Sequence, residues 1–223
     1  MRTSERLRKL KAWAKETLCD GREMKAPGQG MDLTDIRRKD PDCYLGWAPA
    51  WLDRTGDPTP KLIDSTDSVC PCIIIMPNQA YAKYMEEKRF DRYNNIHRSK
   101  QMGQQLSVQM LFGVYEPGIR LPGFLESAEE SGKGVDISLL LEGTEQGLYT
   151  LLNWMDDCKQ ALLGQKMIPQ TDLALDEESV TTSLYTDQNY VVDRRPMYYG
   201  FVNALFNCYA DEGANPSTNQ YLL

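Results

Sequence analysis

Between Gln104 and Leu163 the chain first alternates and then changes period. Leu106, Val108, Met110, Phe112 and Val114 recur at every second position, with Gln105, Ser107, Gln109 and Gly113 between them. That is the pattern of a strand with one face on a core. Leu111 alone breaks it. From Gly147 onwards Leu148, Leu151, Leu152, Met155, Cys158 and Leu162 fall at helical spacing and leave Asn153, Asp156, Asp157, Lys159 and Gln160 for water. One amphipathic helix lying on a sheet is the expectation.

Upstream, Ser4 is placed to cap a helix whose weak apolar stripe is Leu7, Leu10, Ala14 and Leu18, and Gly21 is placed to stop it. Residues 26–68 are rich in Pro, Gly and Asp and sustain no period. They nevertheless carry Tyr44, Leu45, Trp47, Trp51 and Leu52, too apolar a set for a free linker. The expectation is a long irregular arm that packs on its own domain or on a neighbouring subunit. Val69–Met76 is a short, largely buried strand closed by Pro77-Asn78, with Pro71 suited to an edge or a bulge. Residues 79–100 fit either a short helix or a long excursion between two strands. Glu116-Pro117-Gly118 is a turn signal, and 120–141 is a second polar excursion whose apolar end, Ile137–Leu141, has no assignment.

Beyond the helix, Gly164 and Pro169 mark its end, and Val180–Tyr185 reads as a strand. Pro196–Phe206 is the last strand, with Met197, Tyr199, Phe201 and Leu205 on one face and Tyr198, Val202, Ala204 and Phe206 on the other. Apolar residues on both faces predict a strand covered twice. The fold class is α+β: a mostly antiparallel sheet packed by one main amphipathic helix, with an N-terminal helix and a long irregular arm. The expected divisions are a basic helix at 1–25, the arm at 26–68, a core domain at 69–206 and a flexible tail at 207–223.

Composition changes this picture little. Apolar content of 41% and charged content of 26% over 223 residues permit a real core. No run approaches the length of a membrane span, so neither secretion nor membrane insertion is expected. A net charge of −7 opposes a role that depends on neutralising phosphates. Residues 1–25 are the exception, with eight Lys or Arg against four Asp or Glu, a balance of +4 that reads as a solvated helix face or a contact for an acidic partner. The six cysteines, at 19, 43, 70, 72, 158 and 208, are scattered through a chain with ample core and read as reduced thiols.

Candidate chemistry is sparse. His97 is the one histidine and sits in a charged segment, which favours an exposed residue over a catalytic base. Cys70 and Cys72 have no second pair at zinc spacing, so no metal is expected, and Gly28-Gln29-Gly30 follows no strand and makes no phosphate loop. The acidic pairs Glu86-Glu87, Glu129-Glu130, Asp156-Asp157 and Glu177-Glu178 fit solvated faces. Asp193-Arg194-Arg195-Pro196 is a charged turn before a strand, or a partner-binding turn. No enzyme and no cofactor is expected.

Three blocks, LSVQMLFGVYEPG at 106–118, EGTEQGLYTLLNWMDDCKQALL at 142–163 and DRRPMYYGFVNALF at 193–206, resemble the tail terminator (tail completion) proteins of long-tailed bacteriophages. The segment REMKAPGQGMDLTDIRRKDPDCYLGWAP at 22–49 is similar to an arm found in some of them. The resemblance implies a virion protein, assembled in the host cytoplasm, that forms a homo-oligomeric ring, a hexamer in that family. The ring caps the tail tube, stops its polymerisation and meets the neck or connector proteins, while DNA passes through its lumen without specific binding. Contacts between subunits or with partners are expected at Tyr44, Trp47 and Trp51 of the arm and at Arg194 and Arg195. The alternative is another head-tail connector, a head-completion or joining protein. A small hydrolase using His97 or a carboxylate pair, and a nucleic-acid module using the basic N-terminal stretch, are more remote.

Overall fold

A computed structural model describes residues 1–28, 36–47, 51–53, 61–63, 69–90, 96–117, 137–187, 190–191 and 196–208. Its centre is a five-stranded sheet in the order β3-β6-β7-β11-β8, made by Asp42–Leu45 (β3), Cys72–Phe90 (β6), Ile96–Tyr115 (β7), Leu173–Leu184 (β8) and Met197–Cys208 (β11). All neighbours run antiparallel except β3 and β6. Helix α1 (Thr3–Ala14) and helix α2 (Ile137–Gln165) complete the α+β architecture. Three short two-stranded pairs lie outside the main sheet: Met24–Pro27 (β1) with Ile36–Lys39 (β2), Trp51–Asp53 (β4) with Lys61–Ile63 (β5), and Thr186–Asp187 (β9) with Tyr190–Val191 (β10).

The alternation at 106–114 holds: Leu106, Val108, Met110, Phe112 and Val114 are all buried on the face of β7 that takes the helices. On β11 the same face is Val202, Ala204, Phe206 and Cys208. Among the described residues the opposite face of that strand is covered at one end, where Met197 and Tyr199 join Val69, Cys70, Cys72, Ile74 and Tyr115 in a second, smaller core. Leu111, the residue that broke the alternation, packs at the edge of this second core. Farther along, the second face is polar: Gln109 donates to Asn203 (3.1 Å), Asn203 to Thr181 (3.4 Å) and Gln105 to Asn207 (3.2 Å). The strand is thus covered twice over part of its length.

Helix α2 is longer than its sequence signal. It begins at Ile137, so the unassigned Ile137–Leu141 is its first turn; Gly143 and Gly147, poor helix formers, interrupt the pattern there. Gly147 has a positive role, since a methyl group in its place would stand 2.3 Å from the Tyr198 ring. Leu151, Met155, Cys158 and Leu162 are buried as expected, but Leu152 is exposed. Its place is taken by Trp154, fully buried, three positions after Leu151 and four before Cys158. Its ring meets Phe112 edge to face at 5.0 Å, and its indole N–H donates to the Leu18 carbonyl at 2.9 Å.

Leu18 belongs to the end of the N-terminal helix, where Lys15–Cys19 widens into a π turn closed by the Asp20 N–H on the Lys15 carbonyl (2.9 Å). Gly21 follows at φ +76°, the left-handed residue that ends the helix. At the other end the cap is Arg2, not Ser4, because the helix starts two residues earlier, at Thr3; the Glu5 carboxylate accepts the Arg2 backbone N–H at 3.0 Å. Leu10, Ala14 and Leu18 are buried and Leu7 packs at the core's edge.

The segment expected to be an irregular arm contains β2, β3, β4 and β5, each of three or four residues, too short to display a period. Likewise Pro77-Asn78 does not close its strand. The chain absorbs one extra residue there, between the pairs Pro77↔Val108 and Gln79↔Ser107, and β6 continues. The tail beyond Cys208 lies outside the described residues.

Trp154 joins α2, the π turn and the central strand, and removing it takes away both its volume and its hydrogen bond. Trp154→Ala is expected to cost about 3–5 kcal/mol in urea unfolding. Trp154→Phe is expected to cost less, of order 1–3 kcal/mol, because it leaves the Leu18 carbonyl without its donor. A cost below about 1 kcal/mol for the alanine variant would contradict this placement.

Candidate interaction surface

The longest paired ladder among the described residues is the hairpin of β6 and β7. The two strands pair from Cys72↔Gly113 to Phe90↔Ile96. Their other neighbours stop much earlier, since β3 pairs β6 only over Cys72–Ile75, and β11 pairs β7 no farther than Cys208↔Gln104. From Lys83↔Gly103 to Phe90↔Ile96, eight residue pairs therefore form a two-stranded ribbon with no further strand beside it among the described residues. At 3.3 Å per residue it extends about 26 Å past the sheet. Neither expectation for 79–100, a short helix or an excursion between strands, holds over the described residues: Gln79–Phe90 and Ile96–Lys100 continue the two strands themselves.

On β7 the even-numbered residues from Leu106 to Val114 form the core face. Beyond them the backbone ladder continues, pairing Tyr84 with Met102, Glu86 with Lys100, Lys88 with Arg98 and Phe90 with Ile96. His97, the candidate catalytic base, is a ribbon residue.

The residues expected to make contacts are distributed as follows. Tyr44 lies in β3 and is half-buried against the chain's own second core; burial first, and the Asp42 carboxylate after it, push its hydroxyl pKa up. Trp47, two residues beyond β3, is 87% exposed, the most open of the described large apolar side chains. Trp51 is the first residue of β4, and its side chain lies outside the described residues, as do Arg194 and Arg195. Tyr44 and Trp47 therefore share one sheet edge, one turned inward and the other open to water.

Four cations of the basic N-terminal stretch find partners within the chain, three of them acidic. Arg6 is 5% exposed; its guanidinium donates from Nε to Asp172 Oδ1 at 2.8 Å, from Nη2 to Asp172 Oδ2 and from Nη1 to Gln104 Oε1 at 2.9 Å. Lys9 donates to the Gln170 carbonyl, Arg22 pairs with Asp157, and Lys25 pairs with the buried Glu116. Neither a wholly solvated face nor an external acidic partner is needed for these four cations. The Arg6 contact also fixes the base of the ribbon, because Gln104 is the last β7 residue paired with β11 and adjoins the first ribbon pair.

All six cysteines are buried free thiols. Cys19 is pushed up by its hydrogen bond to Cys43 and by burial, and Cys158 is pushed up by burial. Protonated thiols in such settings are small apolar side chains rather than nucleophiles. Among the described residues no three His, Cys, Asp or Glu side chains gather as a metal site, and no helix is long and apolar enough to cross a membrane.

Burial acts to push the Asp172 carboxyl up, but the hydrogen bonds and charge of Arg6 outweigh it and hold the group below its ordinary value. The unfolded carboxylate titrates near 3.9, roughly, so the pair's contribution is complete above that pH and is lost as pH falls through the lower folded value. Asp172→Asn is expected to destabilise the protein at pH 7, leaving Arg6 buried without its counter-charge. In urea unfolding the gap to the parent protein is expected to narrow below about pH 4, where the parent loses the same charge. A gap that stays constant with pH would show that the pair contributes through packing alone.

Comparison of the chain with protein-family models, with curated proteins and with solved structures returns no match.

Proposed function

We propose that the chain is a structural virion protein, a phage tail terminator whose copies form a ring that caps the tail tube and joins it to the neck. The observation that carries this reading is the ribbon, an element that extends about 26 Å beyond the sheet to which it belongs. A two-stranded ribbon is marginal by itself in water, so one of this length is suited to lie on a neighbour. The resemblance of 106–118, 142–163 and 193–206 to tail terminators supplies the kind of assembly. Exposed Trp47 supplies a large apolar anchor outside the core, the residue type that interfaces favour. The net charge of −7 suits a ring around DNA, because a repelling wall lets the duplex slide.

The mechanism is geometric. One surface of the ring pairs with the last ring of the tube, and the opposite surface lacks the pairing that would template another. No residue needs to react with anything. Arg194 and Arg195 remain candidates for the tube or neck contact, and Trp47 and Trp51 for the contact between copies.

The mass of the purified protein, measured by light scattering alone and with its tube protein, tests the reading, with negative-stain imaging of the mixture. Rings, or ring-capped tubes that stop lengthening, are expected. A monomer that leaves tube growth unchanged would contradict the terminator, and binding to the portal side instead would move the protein to the head-joining class.

A further inference from the structure

We infer that Cys19 and Cys43 form a redox-sensitive lock, a dithiol that a low-molecular-weight disulfide converts into a bridge between the end of the N-terminal helix and strand β3. The path of the backbone brings the two thiols together. Where the chain leaves the π turn, the Gly21 N–H donates to the Asp40 carboxylate at 3.0 Å, and three residues farther on Met24 pairs with Lys39 as β1 meets β2. Residues 19–24 and 39–43 therefore lie side by side in antiparallel order. At the far end of this contact the Cys19 and Cys43 side chains meet in the main core, thiol hydrogen-bonded to thiol.

The two sulfurs are chemically unequal. The hydrogen bond from Cys19 holds the Cys43 thiol below its ordinary value against the opposing effect of burial, with Lys11 and Lys15 helping and Asp42 opposing. The same hydrogen bond, burial, and the carboxylates of Asp20 and Asp42 push Cys19 up. A thiolate beside a protonated thiol is the arrangement from which disulfide exchange starts. Cys43 is also the more accessible of the two, 6% exposed against 0%, and it belongs to a four-residue strand at the edge of the sheet, the kind of element that opens most readily. The other hydrogen-bonded pair, Cys70 and Cys72, differs: Cys72 is pushed up by that bond and by burial, and Cys70 also meets the Tyr199 hydroxyl at 3.4 Å.

With oxidised glutathione the exchange runs in two displacements. The Cys43 thiolate attacks one glutathione sulfur; a mixed disulfide forms, the glutathione S–S bond breaks and one glutathione thiolate leaves. Cys19 gives up its proton and attacks the Cys43 sulfur, and the second glutathione thiolate leaves. The cysteine pair loses two electrons and two protons, and one disulfide becomes two thiols. The bridge ties the π turn, which gives Trp154 its acceptor, to the strand that ends two residues before exposed Trp47. It also constrains the unfolded chain.

The full-length protein, incubated with oxidised glutathione under native conditions, then alkylated in urea and mapped by mass spectrometry, tests the inference. The expected product lacks two of the six alkylatable thiols and joins the tryptic peptides Glu16–Arg22 and Asp40–Arg54. Dithiothreitol is expected to restore both. In Cys19→Ala a glutathione adduct is expected to persist on Cys43, whereas in Cys43→Ala modification of Cys19 is expected to be at least about tenfold slower than bridge formation in the parent. The oxidised parent is expected to show a higher urea midpoint, with the amides of β3 exchanging at least about tenfold more slowly. A bridge between Cys70 and Cys72 instead, six thiols intact after treatment, or a Cys19–Cys43 bridge that forms only in urea would overturn the lock. If an alanine variant fails to fold, the mapping of the parent decides alone.

Discussion

The Trp154 indole is the contact on which the rest of this fold depends. It is the largest fully buried side chain among the described residues, and it joins three pieces of chain at one point: its own helix, the carbonyl of Leu18 136 residues upstream, and the Phe112 ring of the central strand. The Arg22 guanidinium stands 5.9 Å from the ring centroid and pairs with Asp157 on the next turns of the same helix. A buried indole N–H without an acceptor is costly, so the π turn that presents the Leu18 carbonyl and the helix that presents Trp154 fix each other's positions. With α2 held there, the even-numbered face of β7 is covered, and the remaining strands have a surface on which to align.

The sheet built on this anchor treats its edges in two opposite ways. Its outer strands are blunted. β3 is four residues long, and β8 is broken by a bulge in which four residues, Glu177–Val180, oppose the single Ala204. Ser179 seals that bulge by donating to the Asp176 carbonyl and accepting the Leu205 N–H at 2.9 Å, while Val180 drops into the core. Both devices discourage uncontrolled strand addition. The ribbon does the reverse, carrying a paired ladder beyond the region that the helices cover. In the proposed ring the blunt edges would limit association by strand addition.

How much of this the sequence disclosed depended on the distance over which each feature is determined. The strand at 106–114, the α2 stripe and the Gly21 stop were legible because each is set by its own residues: parity, helical spacing, and one left-handed position. The ribbon was not, because a bulge at Pro77/Gln79 resets the parity of β6 and a mixed polar surface gives a solvated ribbon and a loop the same composition. Trp154 was passed over although its spacing fits, since its burial depends on an acceptor far along the chain. Arg6 looked like one member of a basic helix face, and its burial depends on Asp172 and Gln104, also distant. Of the candidate contact residues, Tyr44 and Trp47 have similar local sequence, yet one packs against the second core and the other is open, a difference made by where β3 ends.

The central proposal is that the chain assembles with copies of itself, with the ribbon as the element that continues past the common sheet. Hydrogen exchange of the backbone amides tests it most directly, comparing dilute protein with the assembled form. Amides of Lys83–Phe90 and Ile96–Gly103 are expected to exchange quickly when the protein is dilute and at least about tenfold more slowly after assembly, while those of Leu106–Val114 stay protected in both. Equal protection of the ribbon in the two states would contradict the account, because it would mean that the ribbon is stable by itself and that assembly leaves it uncovered.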